Sequence, residues 1–186
     1  MARPRSFDVD AILDKTVEVF RSRGFEGASV TDLEKATGLR RASLYGAFGD
    51  KRALYLAALR RYDSTRAARL MTEISAAPTG RKALERMFDL IVDEAVSDPC
   101  GCLMSNAASE NSARDAKVSV CVEAARRRIE GGLHAALLRG RADGTVKAPG
   151  DPARWRASFM PRCWGCALWP RPAPPSPTFA ASRKRR

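Results

Sequence analysis

Between Ser29 and Lys51 the sequence spells out two short helices and the turn that joins them. Ser29-Val-Thr-Asp32 has capping-box spacing, with Ser29 placed to cap and Asp32 three residues on at the helix N-terminus. The helix it starts is predicted to run through Ala36. Thr37-Gly38-Leu39 then forms a tight turn in which Gly38 takes positive φ without steric cost. A second short helix is predicted from about Arg41 to Phe48. Gly49-Asp50 breaks it, and Asp50 is placed to cap a long helix behind it. Such a pair, joined by a glycine-bearing turn, is a helix-turn-helix, an arrangement whose second helix can enter a DNA major groove.

The rest of the chain reads as helices too. Val9, Ile12, Leu13, Thr16, Val17 and Phe20 recur at three- and four-residue steps, which predicts a first helix from 8 to about 22 with Gly24 as a left-handed stop. Leu54, Leu56, Leu59, Tyr62, Leu70 and Ile74 mark the long helix after Asp50. Ala77-Pro78-Thr79-Gly80 is a loop by composition. Leu84, Met87, Phe88, Ile91, Val92 and Ala95 predict a helix over 81–96, ended by Ser97-Asp98-Pro99. Cys102 to Glu110 is predicted helical, and Val118, Val122, Ala125, Ile129, Leu133, Ala136 and Leu137 stripe a helix over 114–139. No period-two segment is long enough for a strand, so the expected fold class is all-α.

Charge needs dividing before it is interpreted. The chain of 186 residues carries a formal net charge of +12, but residues 151–186 hold 8 Lys/Arg against 1 Asp/Glu. More than half of the excess therefore lies in the last segment and says little about the front end. That segment also changes composition after Asp151, taking Trp155, Trp164, Trp169 and seven of the eleven prolines. Pro161 and the run from Pro170 to Pro177 forbid a continuous helix, and 170–186 is read as an irregular Pro/Arg-rich tail. An abrupt switch to Trp, Cys, Pro and Arg is what a shifted reading frame of GC-rich coding sequence would give. No run of apolar residues is long enough to cross a bilayer, so no membrane partner is expected. The opening Met1-Ala-Arg-Pro-Arg-Ser-Phe-Asp8 is expected not to be a secretory signal. Five cysteines without framework spacing suit a reducing cytoplasm, the expected location.

On the second helix of the pair, Leu44 and Phe48 are expected to face the core with Leu33, Ala36 and Leu39. The opposite face offers Arg41, Ala42, Tyr45 and Gly46 to DNA. Arg41 can bond a guanine bidentately, and Ala42 can approach a thymine methyl. Ser43, Tyr45 and Lys51 suit phosphates, with Thr31 at the start of the preceding helix. Arg40, which opens the helix, is counted with them. Gly46 matters by absence, because a bare backbone can sit deep in the groove. Arg3 and Arg5 can reach an adjacent minor groove or lie in a solvated end.

The stretch Phe20-Arg-Ser-Arg-Gly-Phe-Glu-Gly-Ala-Ser-Val-Thr-Asp-Leu-Glu-Lys-Ala-Thr-Gly-Leu-Arg-Arg-Ala-Ser-Leu-Tyr-Gly-Ala-Phe-Gly-Asp-Lys51 resembles the DNA-binding head of TetR/AcrR-family transcriptional regulators, and residues 1–62 match that head throughout. The resemblance implies a homodimer that binds a near-palindromic operator in double-stranded DNA and is released by a small-molecule effector. By position it places DNA contacts on Thr31, Arg41, Ala42, Ser43, Tyr45, Gly46 and Lys51. Many members carry a larger residue where this chain has Gly46, and histidine where it has Ala47, so base readout is expected to differ. Cys100-Gly-Cys-Leu-Met-Ser-Asn-Ala-Ala-Ser-Glu110 resembles the Gly-Cys-Leu…Asn…Glu pattern of one subgroup. Beyond about residue 150 the chain departs from the two long closing helices that the family uses to dimerise. The reading divides the chain into a helix-turn-helix domain over 1–50, a helical ligand-binding and dimerisation domain over 51–169, and the tail over 170–186.

An effector pocket is expected between the helices after residue 62. Its candidate lining is Met71, Ile74, Phe88, Ile91, Val92, Met104, Asn106, Glu110 and Cys121, with Asn106 and Glu110 as a polar pair four residues apart. Ordinary core packing is the competing reading for most of them. Cys102, near a helix N-terminus that lowers a thiol pKa, is the basis of an alternative reading as a sensor of electrophiles or oxidants, with Cys100 as resolving partner, or of a metal. Its competing reading is a small buried hydrophobe. A metal site from Cys163, Cys166, Cys100, Cys102 and His134 lacks zinc-ligand spacing, so no metal and no cofactor is expected. One histidine and no phosphate loop or acid/base pair leave no basis for an enzyme. Arg126-Arg-Arg128 reads as a solvated face.

Overall fold

A computed structural model describes residues 7–97, 100–111 and 113–147. Among the described residues there are seven helices: α1 (Val9–Gly27), α2 (Val30–Thr37), α3 (Arg41–Phe48), α4 (Lys51–Ala76), α5 (Gly80–Ser97), α6 (Leu103–Glu110) and α7 (Ala116–Ala142). The fold is all-α. None of these helices is long and apolar enough to cross a membrane. The tail over 170–186, Arg3, Arg5, Cys163 and Cys166 lie outside the described residues.

The helix boundaries follow local chemistry. Asp8 caps α1 by accepting from the backbone N–H of Asp10 at 2.9 Å. Asp50 caps α4 by accepting from Ala53 N–H at 2.7 Å, and Asp115 caps α7 through Lys117 N–H at 2.9 Å. Each satisfies a donor that the first turn of a helix cannot pair internally. The stripe predicted for α1 is buried from Ile12 to Phe20. Its end differs from expectation. Gly24 has φ 69° and ψ 178°, outside the left-handed helical well, and the chain resumes helical geometry to Gly27 rather than stopping.

Two apolar cores share α4. The first gathers Ile12, Val17 and Phe20 of α1, Leu33 of α2, Leu44 of α3, Leu54, Tyr55 and Leu59 of α4, Leu103, Met104 and Ala107 of α6, and Val118, Val122 and Ala125 of α7. The second gathers Ile74, Ala83, Met87, Leu133, Ala136 and Leu137 from α4, α5 and α7. Burying the Val, Leu, Ile, Phe and Met side chains among them stabilises by about 1.5–3 kcal/mol each. Between the cores, residues 60–69 of α4 bury no side chain fully. Ion pairs flank that stretch instead: Arg61 with Asp10 at 2.8 Å and Asp14 at 2.7 Å, Arg66 with Glu94 at 2.6 Å, and Asp63 with Arg128.

At the far end of α4 the helices are clamped together. Arg139 donates to the carbonyls of Ile74 at 3.2 Å and of the C-cap residue Ala77 at 2.6 Å, tying α7 to the end of α4. Asp143 accepts from Gly80 N–H at 2.7 Å, and Thr145 Oγ1 accepts from Arg81 N–H at 3.2 Å. Gly80 and Gly140 are in backbone contact there, leaving no room for a side chain at Gly80. The Arg126–Arg128 run is an ion-paired surface. Arg126 bonds Glu123 and Glu130, Arg127 bonds Glu123, and Arg128 reaches Asp63.

Candidate nucleic-acid interface

The capping box is formed in full. Ser29 Oγ accepts from Asp32 N–H at 3.1 Å, and Asp32 Oδ2 accepts from Ser29 N–H at 3.0 Å. The Ser29 hydroxyl and backbone bonds hold the Asp32 carboxyl below its ordinary pKa, with Arg23 adding charge at 3.2 Å. At the other end of α2, Gly38 has φ 73° and ψ 6°, the left-handed conformation that reverses the chain into α3. Thr37 Oγ1 donates to Leu33 carbonyl at 2.7 Å and accepts from Leu39 N–H at 3.2 Å, closing the turn.

α3 then divides by face. Leu44 is fully buried, and Phe48 packs partly buried against the same core. Arg40, Arg41, Ala42, Ser43 and Gly46 are exposed, as is Thr31 on α2. Tyr45 is half-buried beneath the Arg41 guanidinium, whose carbon lies 5.5 Å from the ring centroid. A cation over an aromatic face is attracted to it, so Arg41 is held extended along α3 rather than loose. A side chain at Gly46 would meet nothing within 4 Å. Lys51, half-buried at the start of α4, holds its ammonium 4.7 Å from the Phe25 ring. The eight residues therefore lie on α2, on α3 and its N-cap, and on the first turn of α4.

One contact at this face was not anticipated. Arg40, the N-cap residue of α3, provides no side-chain cap. Glu34 Oε1 supplies one from the preceding helix, accepting from Arg41 N–H at 2.6 Å. The seven-residue separation crosses a turn, so no local motif announces it.

Residues 12–58 match the family model described as bacterial regulatory proteins, tetR family. The chain is 31% identical over 149 residues to the uncharacterized HTH-type transcriptional regulator YezE of Bacillus subtilis, covering 78% of this chain and 76% of that one. The chain belongs to the TetR family. A second relative, the HTH-type transcriptional repressor ComR of Escherichia coli, is 36% identical over 107 residues, or 56% of this chain and 51% of ComR. Among solved structures, a cysteine mutant of the TetR-family regulator CifR, complexed with 26-bp operator DNA, aligns at TM-score 0.74 and 30% identity, covering 89% of this chain and 88% of that one. As a TetR-family member this chain is a DNA-binding transcriptional regulator, with α2 and α3 as its helix-turn-helix.

The residues expected to line a TetR effector pocket are dispersed. Ile74 is buried in the second core, with Phe88 and Ile91 packed partly buried against it. Met71 and Val92 are 56% and 55% exposed, because the buried stripe is narrower than the apolar one. Met104 is buried in the first core, and Cys121 packs half-buried against it. Asn106 is buried and donates to Cys100 carbonyl at 3.2 Å, pinning the loop before α6. Glu110 turns away to α1, where Oε2 accepts from Phe25 N–H at 3.3 Å. A cleft between α4, α5 and α7 is lined by Arg66, Leu70, Ile91, Glu94 and Ile129 among others. Its interior is about 30 Å³, room for a water or two and far below a drug-sized pocket.

Cys102 is the N-cap residue of α6 and half-buried. Burial, then the negative charge that Cys102 carries beside it when ionised, pushes the Tyr62 phenol above its ordinary pKa. Burial opposes the charge on Arg66, but the negative charges of ionised Cys102 and of Glu94 outweigh that cost. Arg21 donates to the carbonyl of Gly101 at 3.3 and 3.2 Å and lies 5.8 Å from the Tyr62 ring. Among the described residues no three His, Cys, Asp or Glu side chains converge to hold a metal ion.

Proposed function

We propose that this chain is a ligand-responsive repressor that binds a near-palindromic operator as a homodimer and is released by a small-molecule effector. The observation that carries it is the division of α3. Leu44 anchors the helix, while Arg41, Ala42, Ser43 and Gly46 stand exposed around it, with the Arg41 guanidinium over the Tyr45 ring. Arg41 and Ala42 read base edges, and Gly46 admits the backbone to the groove floor. Thr31, Arg40, Ser43, Tyr45 and Lys51 hold phosphates. Residues 1–50 form the DNA-binding unit and residues 51–169 the ligand-binding and dimerisation unit, with 170–186 as a separate tail, in a cytoplasmic regulator.

Release follows from a population shift. An effector binding between α4, α5 and α7 must part them, since the cleft holds only water-sized space. It thereby favours a dimer whose recognition helices no longer match half-sites about 34–36 Å apart. Selecting duplexes from a random library with the full chain, then measuring Arg41→Ala and Lys51→Ala, tests the assignment. Arg41→Ala relaxes base preference, whereas Lys51→Ala weakens all sequences alike and lowers the salt slope by about 1. Equal loss on selected and random DNA for Arg41→Ala would sink the base-reading role.

A second reading makes Cys102 the sensor of an electrophile or oxidant. Its favouring observation is the thiol's position against Tyr62 and Arg66, beside a loop tied to α1 through Arg21 and Gly101. Intact-mass measurement after treatment with a thiol-selective electrophile, with DNA binding followed in parallel, separates the readings. Cys102→Ser abolishes release under this reading and leaves it intact under the first.

A further inference from the structure

We propose that Glu34, a residue of α2, is the positioning residue that sets the recognition helix for base reading, its carboxylate replacing the side-chain cap that α3 lacks. The inference rests on the DNA-reading role given to α3 and adds a residue to it. A helix of two turns depends heavily on its ends, because its first N–H groups have no internal partners. In α3, Ser43 and Leu44 N–H both turn to the Arg40 carbonyl, at 2.9 and 3.0 Å. Arg41 N–H has no such option, and arginine at the N-cap has no acceptor to give. The 2.6 Å bond from Arg41 N–H to Glu34 Oε1 fills that need from another helix.

Glu34 grips the turn at both ends. Its carbonyl accepts from Gly38 N–H at 2.9 Å, closing the C-terminus of α2, while its carboxylate holds the first residue of α3. One residue thereby ties the start of α3 to α2 across the turn. The residue so tied is Arg41, whose guanidinium then lies over Tyr45 one turn on. Backbone and side chain of the base-reading arginine are each held, by different partners.

The charge sharpens the argument. A carboxylate at the N-terminus of α3 suits the helix dipole, yet it brings negative charge to the helix end that is offered to phosphates. As a bare charge it opposes DNA binding; as a cap it fixes geometry. These contributions separate cleanly in Glu34→Gln, which keeps the oxygen acceptor without the charge, and Glu34→Ala, which removes both.

The test measures the full chain and both variants on a duplex recovered by selection with the wild-type chain and on a scrambled duplex of equal length. Amide exchange at residues 41–44 is followed in the DNA-free protein. Glu34→Ala is expected to lower the ratio of selected to scrambled affinity about three- to ten-fold and to speed exchange at Arg41. Glu34→Gln is expected to keep most of that ratio while tightening binding to both duplexes. The proposal is overturned if Glu34→Ala keeps the wild-type ratio, or if both variants simply tighten on both duplexes alike. If wild-type selection enriches no sequence, the DNA-reading role itself falls. Unchanged exchange at Arg41 in Glu34→Ala then overturns the cap independently.

Discussion

The Glu110 carboxylate occupies the space where Gly24 would carry a side chain: a Cβ there would lie 2.7 Å from Oε2 and 2.9 Å from Oε1. The same carboxylate accepts from Phe25 N–H, so the end of α6 is joined to the kink of α1. Gly24 has φ 69° and ψ 178°, a region essentially confined to glycine. Gly24→Ala is therefore expected to cost about 1–3 kcal/mol in chemical denaturation. Glu110→Ala alone costs about 1 kcal/mol, one hydrogen bond. In the double variant only the steric part is relieved, so stability stays below that of Glu110→Ala.

Gly46 presents the opposite case. It lies inside α3 with ordinary helical geometry and open space around it, so the fold does not require glycine there. Gly46→Ala is expected to raise stability by up to ~1 kcal/mol through helix propensity. Affinity for a selected duplex is expected to fall about tenfold, equivalent to about 1.4 kcal/mol. Thermal melts and binding isotherms on one preparation check the pair. Unchanged affinity would remove Gly46 from the groove.

Acid is expected to loosen the junction between α4 and α7. The Arg52 side chain is the main cause holding the Asp115 carboxyl down to about 2, with the α7 backbone N–H groups of Val118 and Lys117 adding to it. Because the folded value lies below the ordinary one, the contribution is complete above about pH 4–5 and is lost as pH falls toward 2. Arg52→Met removes the largest cause. Its melting temperature should therefore fall less steeply than the wild type's between pH 5 and pH 2.5.

Gly80→Ala is expected to destabilise by about 1–3 kcal/mol or more, because the added methyl meets the rigid backbone of Gly140. Thr145→Val, which removes the acceptor for Arg81 N–H and the hydroxyl that donates to Asp143 Oδ1, should cost less. Urea denaturation of the two variants gives the ranking.

What was legible in the sequence follows from the range of each interaction. The Ser29–Asp32 box, the Gly38 turn and the Asp50 cap each need only a few neighbouring residues, and all three formed. The all-α fold class was readable for the same reason, since helical stripes are local periodicities. Glu34 was overlooked because its partner lies across a turn, and Tyr55 because it stands beside the apolar stripe of α4 rather than on it. Asn106 and Glu110 share a spacing but not an environment. α6 buries Asn106 against the loop at Cys100 while its C-terminus points Glu110 at α1. Spacing gives direction around a helix, and what waits in that direction is settled by the other helices. The effector-lining candidates dispersed for that reason.

The stretch of α4 between its two cores has a mechanical consequence. Over residues 60–69 no side chain is fully buried and Tyr62 packs only in part against the first core, so the stiffness there is largely ionic, supplied by Arg61, Asp63 and Arg66 with their partners. A tilt of about 5° there, carried back over the roughly 21 Å of helix to Lys51, displaces the head by about 2 Å. Salt softens such pairs as well as weakening the hold on phosphates. Ionic strength therefore acts on this protein twice, once on its grip and once on its aim.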